Sequence, residues 1–491
     1  MLPYKNLLVI DKKSNIAAFR QLASQFIQLI QEGKLLPGTK LPSTRVLAND
    51  LELHRKTVMA AYEALVTEDW VENRPRKGFL ISPKLPVVKP RSYHSARKAA
   101  YESDPGFLFD SSLNIPYRPL LSSSKEIVID DGLPDISLLP TNVILKEFRN
   151  TTTYSTLKKI SNNWEFEGNL EFRNSLCNFL NQTRGLDIRL ENILSTRGAQ
   201  MAIYLAASLI IKPGDKVIVC EPSYLFANMV FERLGAELIH VPIDSFGMNT
   251  DVVEDVLKNN QVKLIYVIPH HHHPTTVTMS VERRNHLLQI IKKHQIAVIE
   301  DDYDYDFQYQ YDPYLPLASG DHEGNIVYIG SLTKVLGAPY RLGYIVAAEK
   351  FITAVAANKI LIDLKGDILT EHLVSGLIEQ GELTRLIQKA NKLYRQRCDL
   401  LSGLLNTELR DIVNVNKPNG GMALWVKFNS DFPLSKIINF TAGKGVKFNG
   451  SIYNLDDKGH YNALRFGFAS LLEEEIIKTV DVIKNSIYKL R

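Results

Sequence analysis

The sequence predicts a small N-terminal winged helix-turn-helix followed by a larger α/β body built on a mostly parallel sheet. Three observations carry that expectation. Two short helical stretches meet at a tight turn and lead into a basic hairpin over 73–81. From Lys125 onward, short apolar runs alternate with helical periods, the pattern of strands joined by crossover helices. Between them, residues 83–124 hold six prolines and Ser122-Ser123-Ser124 without a sustained hydrophobic period, and read as an extended linker. The expected division is 1–82, 83–124 and 125–491.

Composition sets the outer bounds. A chain of 491 residues has room for two or three domains, and 45% hydrophobic with 23% charged residues is ordinary for a folded protein in water. The longest nearly unbroken apolar run, Met201–Ile211, is too short to span a bilayer and reads as a buried helix, so no membrane partner is expected. No charged-then-apolar leader opens the chain, and three scattered cysteines form neither a disulfide framework nor a zinc spacing. A reducing cytoplasm fits these features. Residues 1–91 carry 15 Lys and Arg against 8 Asp and Glu, whereas the remainder has 43 against 46. A basic module on a near-neutral body suggests a polyanion partner, with a solvated basic face as the plainer reading.

In the N-terminal module, Ile16, Phe19, Ala23, Phe26, Ile27 and Ile30 recur at helical spacing, and Gly33 marks the helix end. A turn over Leu36–Pro42 leads to Ser43, a good N-cap, and a short helix over Thr44–Leu51. The next helix runs from about Arg55 to Trp70 with Val58, Ala61, Tyr62 and Leu65 as its core face. Its first turn carries Arg55, Lys56 and Thr57 behind His54, types that reach base edges and phosphates when such a helix enters the major groove. Gly78 stands near the hairpin turn. A small helical protein-binding domain is the alternative. The stretch KLPSTRVLANDLELHRKTVMAAYEALVTEDWVENRPRKGFLIS resembles the winged helix of GntR-type regulators, and that resemblance implies double-stranded DNA contacts from Arg45, Arg55, Thr57 and Lys77.

The body centres on Ile326–Val346, IVYIGSLTKVLGAPYRLGYIV. A buried strand delivers Ser331 and Lys334 to its mouth, and Arg341 follows. A lysine so placed suits a phosphorylated aldehyde: the amine forms a Schiff base while hydroxyl and guanidinium bind the phosphate. A solvated loop lysine is the competing reading of this motif alone. Upstream, Gly198-Ala199-Gln200 stand at the start of the helix Met201–Ile211, where free backbone N–H groups bind phosphate. Tyr224 follows the strand Lys216–Cys220 and either stacks on a flat ring or is a half-buried tyrosine. The strand Val262–Pro269 ends in four histidines; successive residues of an extended chain alternate faces, so at most two would converge, and no metal site is expected. Asp301 closes the strand Ala297–Glu300, where an acid hydrogen-bonds a pyridine nitrogen and keeps it protonated. Together these features suit pyridoxal 5′-phosphate.

The chain order also resembles the fold-type I aminotransferases over about residues 125–491, with a smaller α+β C-terminal subdomain. That resemblance implies that Lys334 carries the cofactor, Asp301 pairs with its ring N–H, and Tyr303 and His273 meet its ring hydroxyl. Tyr224 would stack, while Ser331, Arg341 and the 198–200 backbone hold the phosphate. Arg465, in LRFGFA, would take a substrate carboxylate. Ile360–Leu405 is expected to be helical. A GntR winged helix fused to such a body resembles the MocR-type regulators, as do the motifs GLPD (132–135), EGNLEFRNSL (167–176), IEDDYDYDF (299–307), GSLTK (330–334) and RLGY (341–344). The fusion implies a cytoplasmic, head-to-tail homodimer in which a small amine or amino-acid effector reacts at Lys334 and changes DNA binding, with little or no physiological turnover. The rivals are a working aminotransferase with an accessory DNA-binding domain and a regulator that senses the cofactor itself.

Overall fold

The computed structural model describes residues 4–11, 14, 16–75, 77–85, 107–108, 126–162, 165–309, 314–441, 443–448 and 461–488. The chain forms two compact units, Met1–Leu113 and Asn114–Arg491. Nearly all of the linker expected over 83–124 lies outside the described residues.

In the first unit, helices α1 (Tyr4–Leu7), α2 (Ala18–Gln31), α3 (Thr44–Asp50) and α4 (Arg55–Thr67) precede a hairpin of β1 (Val71–Arg74) and β2 (Gly78–Ile81). Ser43 Oγ caps α3 by accepting from the Val46 N–H at 3.3 Å, and His54 Nδ1 caps α4 by accepting from Lys56 at 3.2 Å. Leu22, Phe26, Leu47, Val58, Tyr62, Leu65 and Ile81 share one apolar core. The Tyr62 hydroxyl donates to the Pro42 carbonyl at 3.0 Å, tying the turn before α3 to α4. Two expectations shift. Ile16 precedes α2 and is exposed, so Leu22 and Leu29 complete the apolar face. Helix α4 stops at Thr67 because Asp69 takes a positive φ of 59° and turns the chain into the hairpin. Arg74 pairs with Gly78, whose φ of +83° accommodates the tight turn.

The second unit opens with β3 (Ile127–Ile129), α5 (Thr141–Thr151), α6 (Tyr154–Asn162) and α7 (Leu170–Arg184). Strands then alternate with helices: β4 (Ile193–Thr196), α8 (Ala199–Ile210), β5 (Lys216–Glu221), α9 (Leu225–Arg233), β6 (Glu237–Asp244), β7 (Gly247–Met248), α10 (Thr250–Asn259), β8 (Val262–Val267), α11 (Val281–His294) and β9 (Ala297–Asp302). Next come β10 (Ile326–Ser331), α12 (Thr333–Leu336), β11 (Gly343–Val346) and α13 (Glu349–Ile360). One sheet of order β4-β11-β10-β9-β8-β5-β6-β7 results. Strands β10, β9, β8, β5 and β6 run parallel, while β11 is antiparallel to β4 and β10. The carboxyl ends of β4, β5, β8, β9 and β10 therefore share one edge with the amino end of β11.

Every residue of β10 is buried, as its β-branched composition anticipates, and each large apolar side chain there contributes roughly 1.5–3 kcal/mol. Gly330 is required within it, since a Cβ would lie 2.2 Å from the Tyr344 ring of β11.

Helices α14 (Ile368–Glu379) and α15 (Glu382–Glu408) lead to β12 (Val413–Val415), β13 (Ala423–Phe428), α16 (Leu434–Thr441), β14 (Val446–Phe448), β15 (Ala463–Gly467) and α17 (Glu473–Ile487). The helical stretch expected over Ile360–Leu405 is divided between α14 and α15. Asp367 caps a new helix after Gly366, and Gly381 at φ +71° separates α14 from α15. Strands β12, β13 and β15 form the smaller antiparallel sheet, and β14 pairs in parallel with β3. Phe172, Leu176, Tyr328, Leu424 and Phe466 lie in one core that joins this sheet to one face of the larger one.

Candidate functional site

The shared strand edge gathers the polar residues singled out from the sequence. Ala199, Gln200, Tyr224, His273, Asp301, Tyr303, Ser331, Lys334 and Arg341 line a single cavity, together with Asp131, Ile268 and Thr333.

At one end, Gly198 caps α8 with φ +82°. Backbone packs tightly around it: a Cβ on Gly343 would sit 2.6 Å from the Gly198 carbonyl carbon. A Cβ on Gly198 itself would lie 3.0 Å from Arg341 Nη2, so the guanidinium stands against the start of the helix. Ser331 Oγ accepts from the Thr333 N–H at 3.2 Å, and Gln200 Nε2 donates to the Phe226 carbonyl at 3.0 Å. Free N–H groups at a helix start, a guanidinium and hydroxyls form a cradle for a phosphate.

At the other end, Asp301 is 2% exposed, and its Oδ2 accepts from the Tyr266 hydroxyl of β8 at 2.7 Å. Its Oδ1 is buried without a hydrogen bond. Burial pushes the carboxyl up to about 7 against the Tyr266 bond, with Asp302 and Asp304 adding to the rise. A buried acceptor with an open lone pair on a cavity wall fits a ring N–H.

Lys334 lies in the first turn of α12, and its Nζ donates to the Gly132 carbonyl at 2.7 Å and stands 5.8 Å from the Tyr303 ring centre. Burial lowers its pKa, with Arg465 acting in the same sense and the acids Asp131, Asp130 and Asp304 opposing. A buried amine eased toward its neutral form is a nucleophile for a carbonyl carbon. Tyr224 meets the His273 ring edge-on at 5.0 Å. The Tyr303 hydroxyl donates to the His271 carbonyl and accepts from Arg465 Nη2, both at 2.9 Å.

Arg465, on β15, does not line the cavity. It is 1% exposed, and its donors reach the carbonyls of Asp131 and Pro274, each at 3.2 Å, besides Tyr303.

The four histidines follow a course different from the extended one expected. His271 has φ 45°, and all four rings are buried. His270 pairs with Asp302 at 3.0 Å, His271 with Asp304 at 3.1 Å, His272 with Thr275 at 2.9 Å and His273 with Asp131 at 2.7 Å. Among the described residues, no His, Cys, Asp and Glu cluster is placed to hold a metal ion.

Sequence reasoning missed Asp131, Ile268 and Tyr266. Asp131 had a visible signal: it opens the turn before GLPD. Asp130 holds that turn, accepting from the Gly132 and Leu133 N–H groups at 2.8 Å and from Ser470 at 2.6 Å. In the first unit, Arg45, Arg55, Lys56 and Lys77 are exposed and Thr57 is half-buried. Arg45 and Arg55 border one concavity at the helix turn, where Arg55 Nε donates to Thr44 Oγ1 at 3.3 Å.

A cavity with a helix start and a guanidinium at one end, a buried acid at the other and an amine between suits pyridoxal 5′-phosphate, the cofactor of the fold-type I proteins. Residues 136–479 match the family described as aminotransferase class I and II, and residues 19–81 match the bacterial regulatory proteins of the gntR family. The chain belongs to the aminotransferase class I and II family, with a GntR helix-turn-helix domain fused ahead of it.

Relatives share that fusion. The chain is 27% identical to the HTH-type transcriptional regulator YdfD of Bacillus subtilis, covering 94% of each chain. It is 25% identical to the probable rhizopine catabolism regulatory protein MocR of Rhizobium meliloti, covering 90% of this chain and 88% of the relative. The kynurenine aminotransferase of Pyrococcus horikoshii, solved in complex with PMP, is similar over 75% of this chain and 92% of its own, at 26% identity and a TM-score of 0.68. Among the described residues, no helix is long and apolar enough to cross a membrane.

Proposed function

We propose that this chain is a MocR-type transcription regulator. It holds pyridoxal 5′-phosphate at Lys334, reads an amine or amino acid there and changes its grip on duplex DNA in response. The observation that carries this reading is the single cavity lined by both Lys334 and Asp301, whose buried Oδ1 has no hydrogen bond, in a chain that also bears a GntR domain. When bound, pyridoxal phosphate supplies an aldehyde that condenses with amines and a ring that withdraws electrons.

The residues divide the remaining work. The α8 start with Gly198, Ala199 and Gln200, together with Ser331 and Arg341, would hold the phosphate, Asp301 would accept from the ring N–H, and Tyr224 would pack against the ring. His273 and Tyr303 would meet the ring hydroxyl, and Lys334 would be the reacting amine. Arg45, Arg55, Lys56, Thr57 and Lys77 meet DNA, the first helix turn of α4 reading base edges and the wing lysine a phosphate. An effector alters DNA affinity only to the extent that it binds one conformation better than another. A cytoplasmic head-to-tail homodimer would present two readers to repeated half-sites.

The test is an absorbance titration of the cofactor-loaded protein with amines, beside binding to DNA from its own upstream region. A regulator binds that DNA specifically, its visible band changes with an effector, and the same effector changes DNA affinity. Steady turnover of an amino donor and a 2-oxo acid with no specific DNA binding would overturn the reading in favour of an enzyme.

A further inference from the structure

Asp131 is a charged residue of the cavity wall. It directly precedes Gly132, whose carbonyl holds the Lys334 amine. Its Oδ2 accepts from His273 Nε2 at 2.7 Å, and its Oδ1 lies 3.2 Å from Arg465 Nε. The same Nε donates to the Asp131 main-chain carbonyl at 3.2 Å. Burial raises the pKa of this carboxyl, but His273, Arg465 and Lys334 outweigh burial and hold it below the ordinary carboxylate value. Asp131 is therefore an anion at neutral pH.

Exposure fixes the order of these groups. The Asp131 side chain keeps 37% of its surface and lines the cavity, whereas Arg465 keeps 1% and does not. Two further contacts of Arg465, to the Pro274 carbonyl and the Tyr303 hydroxyl, are likewise internal. A carboxylate approaching from the cavity thus finds the guanidinium already paired. It would have to displace Asp131, leaving that anion stripped of its cation, or lie beside it as a like charge. An amine with no carboxylate meets neither obstacle, and its ammonium form is drawn toward Asp131 as it enters.

We infer that Asp131 stands in for an effector carboxylate and sets the site to take a primary amine that lacks an α-carboxylate. The inference rests on the reading of Lys334 as the cofactor lysine and narrows the effector to one class. Asp131 acts here as a specificity residue through negative selection, by an element built against the wrong ligand.

The experiment compares 1-aminopropane with L-2-aminobutyrate, which differ by one carboxylate, against full-length protein loaded with pyridoxal phosphate. The readout is the concentration that half-converts the visible absorbance band. The wild type should respond to 1-aminopropane at a concentration ~100-fold lower than to L-2-aminobutyrate. Asp131→Asn, which keeps the shape and removes the charge, should narrow that gap to below ~10-fold by releasing Arg465, and Asp131→Ala should do the same. A wild type that prefers L-2-aminobutyrate, or a gap unchanged in both variants, overturns the inference while leaving the cofactor site standing. A wild type that gains no visible band from the cofactor alone overturns the site reading and this inference with it.

Discussion

Replacing Asp301 by asparagine should make the cofactor-free protein more stable and its cofactor binding weaker, two effects of opposite sign from one atom. Burial first, against the Tyr266 bond, and then Asp302 and Asp304 hold the Asp301 carboxyl at about 7 instead of its usual 3.8. A folded state whose acid titrates higher than in the unfolded chain binds the extra proton. Its contribution to stability is complete below 3.8 and is lost as pH rises to about 7. At ~1.4 kcal/mol per pH decade, that interval corresponds to a loss of ~4 kcal/mol above neutrality. Asparagine stays uncharged and its single amide oxygen can take the place of Asp301 Oδ2 as acceptor from Tyr266, so the variant should recover up to ~4 kcal/mol at about pH 8 and much less at about pH 5. It can no longer offer an anion to a ring N–H, a bond worth ~1.5–3 kcal/mol, so cofactor affinity should fall ~10–100-fold. Thermal unfolding of the cofactor-free proteins at the two pH values, with equilibrium dialysis of pyridoxal phosphate, measures both. A gain of equal size at both pH values, or an unchanged cofactor affinity, would refute the reasoning.

Other substitutions probe the remaining parts. Gly198→Ala forces a side chain onto φ +82° and places its Cβ 3.0 Å from Arg341 Nη2; phosphate-dependent cofactor affinity should drop ~tenfold, read by quenching of intrinsic fluorescence. Lys77→Ala should weaken binding to all DNA sequences alike and reduce the slope of log affinity against log salt by ~1, measured by anisotropy across a salt series. Tyr62→Phe removes the 3.0 Å bond to the Pro42 carbonyl and should lower the stability of the first unit by ~1 kcal/mol in urea unfolding, with no change at the cofactor cavity.

Much of the site was legible because its residues sit at strand ends, and strand ends are marked by local chemistry. Apolar β-branched runs such as Ile326–Ile329 announce a buried strand, so the polar residues that follow must lie on the carboxyl edge of the sheet. Lys334, Asp301 and Tyr224 were found in that way. Their convergence depends on strand order, which no local pattern contains; β4 lies beside β11 although many residues separate them. Tyr266 was hidden for a related reason. It lies within β8, where an aromatic reads as core, and its hydroxyl reaches Asp301 only because β8 and β9 are neighbours. The four histidines misled through backbone geometry: the left-handed φ at His271 breaks the alternation of faces that an extended chain would impose. Arg465 shows the limit of a motif. LRFGFA gave it, by resemblance, a substrate carboxylate to hold, but its pairing with Asp131 joins β15 to the turn after β3 and could not be read from either stretch alone.

The most direct measurement is the affinity of cofactor-loaded wild type and Lys334→Ala for upstream DNA, each with and without a saturating amine that alters the visible band of the wild type. The wild type should change its DNA affinity by at least ~5-fold on adding the amine, while Lys334→Ala, with its winged helix intact, should bind DNA and show no response. An equal response in both proteins would contradict the assignment of the sensing chemistry to this lysine.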